Sequence, residues 1–257
     1  DVETNGCGEF LASDMMKYVD NARVLGLGET MRFLECCEGE KRMADKLELF
    51  AKKHIDGHAP GIHGKEVQAY RLAGVENDHE CSTAEEVLDK LRAGLHIYVR
   101  EGSGAKNLET LIKTMLDAGV CLDRCAFCTD DKHVEEIRKE GHISTCIRKA
   151  IALGVPVAKA YKMGSYQAAE FYGLKNYGAI GAGYRADIVF LDDLEQVRPL
   201  DVMKDGRILT EEDYAKDYSV PVPDELLHTV HVGEVTKDKI RLSCDGKTDV
   251  IQMNPHQ

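Results

Sequence analysis

His54-Ile55-Asp56-Gly57-His58-Ala59-Pro60-Gly61 is a short apolar run that ends in glycine, histidine and a proline-containing turn. It reads as a β-strand with His58 standing at its carboxyl end. The same form recurs on both sides. Val24-Leu25-Gly26-Leu27-Gly28-Glu29 precedes it. Gly74-Val75-Glu76-Asn77-Asp78-His79-Glu80, His96-Ile97-Tyr98-Val99-Arg100-Glu101-Gly102-Ser103 and Cys125-Ala126-Phe127-Cys128-Thr129-Asp130-Asp131 follow. Stretches of helical spacing separate them. Residues 41–53 carry Met43, Leu47, Leu49 and Phe50, residues 82–93 open with an N-cap and acids, and residues 108–118 repeat Leu108, Leu111, Ile112, Met115 and Leu116.

The polar residues that end these runs, Glu29, His58, His79, Glu101 and Asp130, are 29, 21, 22 and 29 residues apart. One strand, one helix and two loops fill about that length. Strand then helix, repeated, predicts an α/β fold whose parallel sheet carries its chemistry at the carboxyl ends of the strands. Functional side chains at successive strand ends suit a (β/α)8 barrel better than an open sheet, which gathers ligands at one switch point. Such runs are visible at only five places, whereas a barrel of this kind closes with eight strands.

Beyond Asp131 the spacing predicts helices over 143–153, 157–163 and 165–172. Residues 178–183, Gly-Ala-Ile-Gly-Ala-Gly, read as a turn. Residues 186–193 and 202–209 read as antiparallel strands, with Asp205-Gly206 as a hairpin turn. Val230-His231-Val232 and Ile240-Arg241-Leu242 are further strand candidates, followed by a turn at Asp245-Gly246. The expected division is a barrel segment over 1–177, a small β-sandwich segment over 178–211 and the beginning of a C-terminal domain over 212–257.

Composition narrows the function. Of 257 residues, 43% are apolar and 30% charged, enough for a sizeable core. No apolar stretch approaches the roughly 18–20 residues of a membrane helix. The net charge of −12, with 33 basic and 45 acidic side chains, argues against nucleic-acid binding. The first residues carry acids and no basic leader, so no secretory signal is expected and the cytoplasm is the expected location. Nine cysteines, an odd number, read as reduced thiols, and Cys125 and Cys128 have no second CxxC to complete a zinc ribbon.

Imidazoles and carboxylates on converging strand ends make a divalent-metal site. Ligands without thiolate suit manganese, iron(II) or zinc. Single members have other readings: Glu101 is placed to pair with Arg100 or Lys106, and Asp131 to cap the next segment.

Leu27-Gly28-Glu29-Thr30-Met31, Asp56-Gly57-His58-Ala59-Pro60-Gly61, Asn77-Asp78-His79-Glu80-Cys81, Arg100-Glu101-Gly102-Ser103, Lys106-Asn107-Leu108 and Thr129-Asp130-Asp131 together resemble the bacterial-type adenine deaminases of the amidohydrolase superfamily. The order and spacing match over nearly the whole chain. Residues 178–189 resemble the superfamily's return to its β-sandwich, and residues 229–235 the start of that family's C-terminal domain.

The resemblance implies a metal-dependent (β/α)8 TIM barrel of which strands 4–8 are present. It makes Glu29, His58, His79 and Asp130 the metal ligands, with Asp130 also the catalytic proton shuttle. Arg100, Glu101 and Ser103 become purine contacts, and Glu80 and Asp131 support the ligands from behind. The implied reaction is hydrolysis of adenine to hypoxanthine and ammonia at a binuclear centre, for which the resemblance favours manganese. Two other readings share the ligand set: a different cyclic amidohydrolase or deaminase, and an inactive metal-binding fragment.

One departure stands out. The superfamily carries an H-x-H pair after its first strand, and none of the ten histidines here forms one. The chain is therefore expected to be an internal fragment that lacks an N-terminal segment of the same protein. Alone it is expected to be inactive, to hold at most one metal well, and to expose open sheet edges. A homodimer is a further expectation.

Overall fold

The computed structural model describes residues 9–216, 219–227, 231–241, 243 and 246–247. A helix, α1 (Ala12–Val19), leads into strand β1 (Gly26–Thr30). Helices α2 (Phe33–Glu38) and α3 (Lys41–Leu49) connect it to β2 (His54–Gly57). Then follow α4 (Gly64–Leu72), β3 (Asn77–Asp78), α5 (Ala84–Arg92), β4 (His96–Arg100), α6 (Leu108–Asp117) and β5 (Cys125–Cys128). All five predicted strand runs are present.

Every pairing among these strands is parallel. Leu27 lies opposite Ile55, Asp78 opposite Ile97, and Arg100 opposite Cys128. β2 and β3 are joined where the Glu76 N–H donates to the Ile55 carbonyl at 3.0 Å and the Gly57 N–H donates to Asn77 Oδ1 at 3.0 Å. A Cβ on Gly57 would stand 2.1 Å from the Asn77 carbonyl oxygen, so only glycine permits this approach. Alternation sorts the side chains. Leu27, Ile55, Ile97, Val99 and Phe127 face the helices, where they join Leu111, Ile112, Met115, Val67 and Met43 in the core. Tyr98, Ala126 and Cys128 face the other way, packed with Phe171 and Tyr172.

That alternation also disposes of the CxxC. On a strand, positions three apart point to opposite faces. Cys125 sits in the helix-side core and Cys128 on the concave face, so the two thiols cannot share a ligand. Burial pushes the Cys125 thiol up to about 12. Seven cysteines are free among the described residues.

After β5 come α7 (Val134–Glu140), α8 (Ile143–Ala152), α9 (Val157–Gly164) and α10 (Tyr166–Phe171). Strands β6 (Ile188–Leu191), β7 (Pro199–Lys204) and β8 (Arg207–Ile208) form a small antiparallel sheet. Its hairpin turns at Asp205 and Gly206, both left-handed with φ of 51° and 79°, as the Asp-Gly pair predicts. Short helices α11 (Glu211–Tyr214) and α12 (Asp224–Leu227) follow. Val230, Leu242 and Asp245, on which the later strand and turn expectations rest, lie outside the described residues. His231-Val232 and Ile240-Arg241, which are described, form no strand. No helix among the described residues is long and apolar enough to cross a membrane.

Helices α1, α2, α4 and α7 escape a reading by hydrophobic spacing. α1 and α7 bury no residue, α2 buries only Cys36, and α4 buries only Val67 and Tyr70, too few to show a stripe. α5 is the opposite case. Its cap is Thr83, whose Oγ1 accepts from the Glu86 N–H while Glu86 accepts from the Thr83 N–H.

Candidate metal centre

Parallel strands bring their carboxyl ends to one rim, and the expected ligands meet there. Glu29 stands near the end of β1, His58 just after β2, His79 just after β3, and Asp130 two residues after β5. Glu29 Oε1 lies 3.4 Å from His58 Nδ1, and Glu29 Oε2 lies 3.1 Å from His79 Nε2. The two imidazole rings are 5.4 Å apart and nearly perpendicular. His79 Nε2 is 3.9 Å from Asp130 Oδ2. Glu29, His58 and His79 form one trio with donor atoms within 4.8 Å of one another, and His79, Glu80 and Asp130 form a second.

Glu80 is thus placed at the donors themselves. Its Oε1 lies 3.8 Å from His58 Nδ1 and 3.6 Å from His79 Nε2, and it pairs with Arg100. Arg100 also reaches Asp130 Oδ2 at 2.9 Å. Asp130 holds its carboxylate there from a left-handed backbone, φ 54°, which costs a non-glycine residue about 1–3 kcal/mol.

The electrostatics follow from these contacts. Hydrogen bonds from His58 and His79 hold the Glu29 carboxyl down at about 2. Burial disfavours a charged His79, yet Glu29, joined by Asp78 and Glu80, outweighs it and raises the imidazole above its ordinary value. Arg100 is likewise raised: burial opposes its charge, and Glu80 and Asp130 overcome that. Three carboxylates and two imidazoles, two of the carboxylates balanced by one guanidinium, make a concentration of donors that fits a divalent cation. Cys128 borders the same cavity, but burial pushes its thiol well above neutrality, so it is a poor ligand there.

Beside the donors lies an open cavity of about 600 Å³, bordered by Asp56, Tyr98 and Tyr172 as well as Glu29, His79 and Asp130. Sequence reading missed the first three. Tyr172 Oη donates to Asp56, 3.0 Å from each carboxylate oxygen. The available signal was strand alternation: Asp56 is two residues before His58 and Tyr98 two before Arg100, each pair on one face.

Glu101 and Ser103 are not brought to the cavity. Glu101 is buried against Lys149 Nζ at 2.6 Å, rather than against Arg100 or Lys106, and Ser103 Oγ donates to Glu136 at 2.6 Å. Their backbones instead brace the Asp130 loop. The Glu101 N–H donates to the Cys128 carbonyl at 3.0 Å and the Ser103 N–H to the Asp131 carbonyl at 2.9 Å. Asp131 itself is exposed.

A buried lattice supports the rim from below. Tyr70 Oη donates to the Thr30 carbonyl at 2.8 Å and accepts from the His58 N–H at 2.9 Å, tying the Glu29 strand to His58. Asn77 spans to Asp56 and to the Gly57 N–H.

The adenine deaminase of Desulfitobacterium hafniense (strain Y51) is 40% identical over 256 residues, 99% of this chain and 44% of its own length. That of Clostridium acetobutylicum is 40% identical over 252 residues, 96% of this chain and 43% of its own. The chain therefore spans somewhat under half the length of these curated relatives. Among solved structures, a beta-aspartyl dipeptidase from Fervidobacterium islandicum AW-1 superposes with a TM-score of 0.58 over 80% of this chain and 63% of its own. At 17% identity that likeness speaks to the fold alone. The model of the amidohydrolase family matches residues 39–209, which include β2 to β8 and three of the four expected ligands, and the chain belongs to that family.

Proposed function

We propose that the protein carrying this sequence is a metal-dependent adenine deaminase that converts adenine to hypoxanthine and ammonia. The observation that carries the reading is the convergence of Glu29, His58, His79 and Asp130 at one rim beside a cavity, in a chain about 40% identical to adenine deaminases. Those four residues would hold the cation, with Glu80 close enough to join them. When bound, a divalent cation lowers the pKa of water towards about 7 and so supplies a nucleophile at neutral pH. The other steps belong to side chains. Asp130 takes a proton from the water and returns it to the ring nitrogen or the departing amine. Arg100, 2.9 Å away, fixes the direction in which that carboxylate points. Tyr98 and Tyr172 offer flat apolar surface to a neutral purine.

The finer points belong to the same proposal. β1 to β5 are strands 4 to 8 of a (β/α)8 barrel, and β6 to β8 part of a β-sandwich. The remaining strands and the second half of a binuclear centre come from residues outside this sequence. Manganese is the preferred cation on the strength of the family resemblance, since oxygen and imidazole donors without thiolate suit iron(II) or zinc as well.

The test is ammonia release by the full-length protein supplied with Mn2+, from adenine, cytosine and a dihydropyrimidine. Release from adenine alone is expected, and Asp130→Asn is expected to lower turnover by about 10²–10⁴. Release from either pyrimidine but not from adenine would replace this reading with another cyclic amidohydrolase. Activity of the 257-residue chain in isolation would overturn the proposal that other residues complete the site.

A further inference from the structure

A lysine with no exposed surface lies behind the two histidines. Lys90 on α5 and Asp78 on β3 are both 0% exposed. Alternation puts them there: Asn77 faces the cavity, so Asp78 faces the helices, where Lys90 meets it. Lys90 Nζ donates to Asp78 Oδ2 at 3.0 Å and to the Ala59 carbonyl oxygen at 2.6 Å. Asp78 in turn accepts from the Ala59 N–H at 2.8 Å and from the Glu80 N–H at 3.0 Å. Glu86, one turn before Lys90, accepts from the Gly61 N–H at 2.6 Å.

The destinations of these bonds matter more than their number. Ala59 is bonded to His58, and Asp78 and Glu80 are the two neighbours of His79. One ion pair therefore grips the backbone beside each imidazole and sets the distance between the loops that carry them. As a source of stability alone it is a poor choice, since well-packed apolar residues commonly serve as well as a buried ion pair.

We propose that Asp78 and Lys90 are positioning residues: together they fix the separation and direction of His58 and His79 for a divalent cation that neither of them touches. The inference rests on the reading of Glu29, His58, His79 and Asp130 as cation ligands.

The test measures Mn2+ affinity of the full-length protein by the electron paramagnetic resonance signal of free Mn2+, with near-ultraviolet circular dichroism reporting the fold. Four forms are compared: wild type, Glu29→Gln, Asp78→Asn, and the double variant Asp78→Asn with Lys90→Met. The double variant removes the Asp78–Lys90 pair as a unit and leaves Glu86, 4.0 Å from Lys90 Nζ in the wild type, held by the hydrogen bonds it accepts from the Gly61, Ser82 and Thr83 N–H groups. It is expected to stay folded, to keep a thermal midpoint close to wild type, and to bind Mn2+ about 10–100-fold more weakly. Asp78→Asn alone leaves Lys90 buried with only Glu86, 4.0 Å away, as a counter-charge, so it is expected to lower the thermal midpoint more than the double variant does and to weaken Mn2+ binding in the same direction, read in its folded fraction. Wild-type affinity in the folded fraction of either variant overturns the positioning role. Glu29→Gln separates the two claims: if it too binds Mn2+ like wild type, the ligand assignment has failed.

Discussion

Tyr70 has 0% of its surface exposed and its hydroxyl makes two backbone hydrogen bonds. Tyr70→Phe leaves the His58 N–H and the Thr30 carbonyl without a partner in a dry interior. The expected cost is about 1–3 kcal/mol, read as a lower midpoint in urea with an unchanged slope. Weaker Mn2+ binding should accompany it, because the bond joins the Glu29 strand to the His58 loop. Residue types at strand ends were legible in advance: Glu29, His58, His79 and Asp130 could be named from spacing and resemblance. Their supports were not. Tyr70 sits on a helix with little apolar pattern, and Lys90 looks like an ordinary surface residue on an amphipathic one. Which charged residue is buried depends on what the sheet presents to that helix turn, and local sequence does not encode it.

At the scale of elements, α6 illustrates the helices that spacing predicts well. Leu108, Leu111, Ile112 and Met115 are all fully buried. Met115→Ala is expected to cost about 2–5 kcal/mol by equilibrium unfolding, the usual range for emptying a packed site. The start of β4 supplies a pH dependence. His96 packs against the Phe171 ring at 4.5 Å. Burial, helped by Arg124, pulls its imidazole from the ordinary 6.5 down to about 4. The unfolded chain therefore takes up this proton first as the pH falls. Stability should be greatest above 6.5 and decline from there to about 4. His96→Gln should flatten that part of the profile, measured by urea unfolding at a series of pH values. An unchanged slope between those limits would contradict the assignment.

At the scale of the whole molecule, the prediction concerns the cation. A ligand that binds only the folded state at about 100 times its Kd adds about 2.7 kcal/mol to stability. Mn2+ should therefore raise the thermal midpoint of the full-length protein, a chelator should reverse the shift, and Glu29→Gln should abolish it. A midpoint indifferent to both would argue against a built site. The arrangement behind this expectation is a matter of topology. Parallel strands, each followed by a helix on one side, place their carboxyl ends together, so residues 101 positions apart in sequence, Glu29 and Asp130, reach the same rim.

The five strand runs, the helices over 41–53, 82–93 and 108–118, the parallel pairing of the strands and the Asp-Gly hairpin were legible in the sequence itself, as were four candidate donors. Periodicity, turn chemistry and strand-end residue types are local properties, and they survive being read one stretch at a time. Only the tertiary structure decided that Glu80 stands among the donors, that Glu101 and Ser103 turn away to Lys149 and Glu136, and that a buried lysine braces both histidines. Each of these depends on which face of one element meets which face of another. That choice is settled by packing and by the need to pair every buried charge, neither of which any single stretch contains.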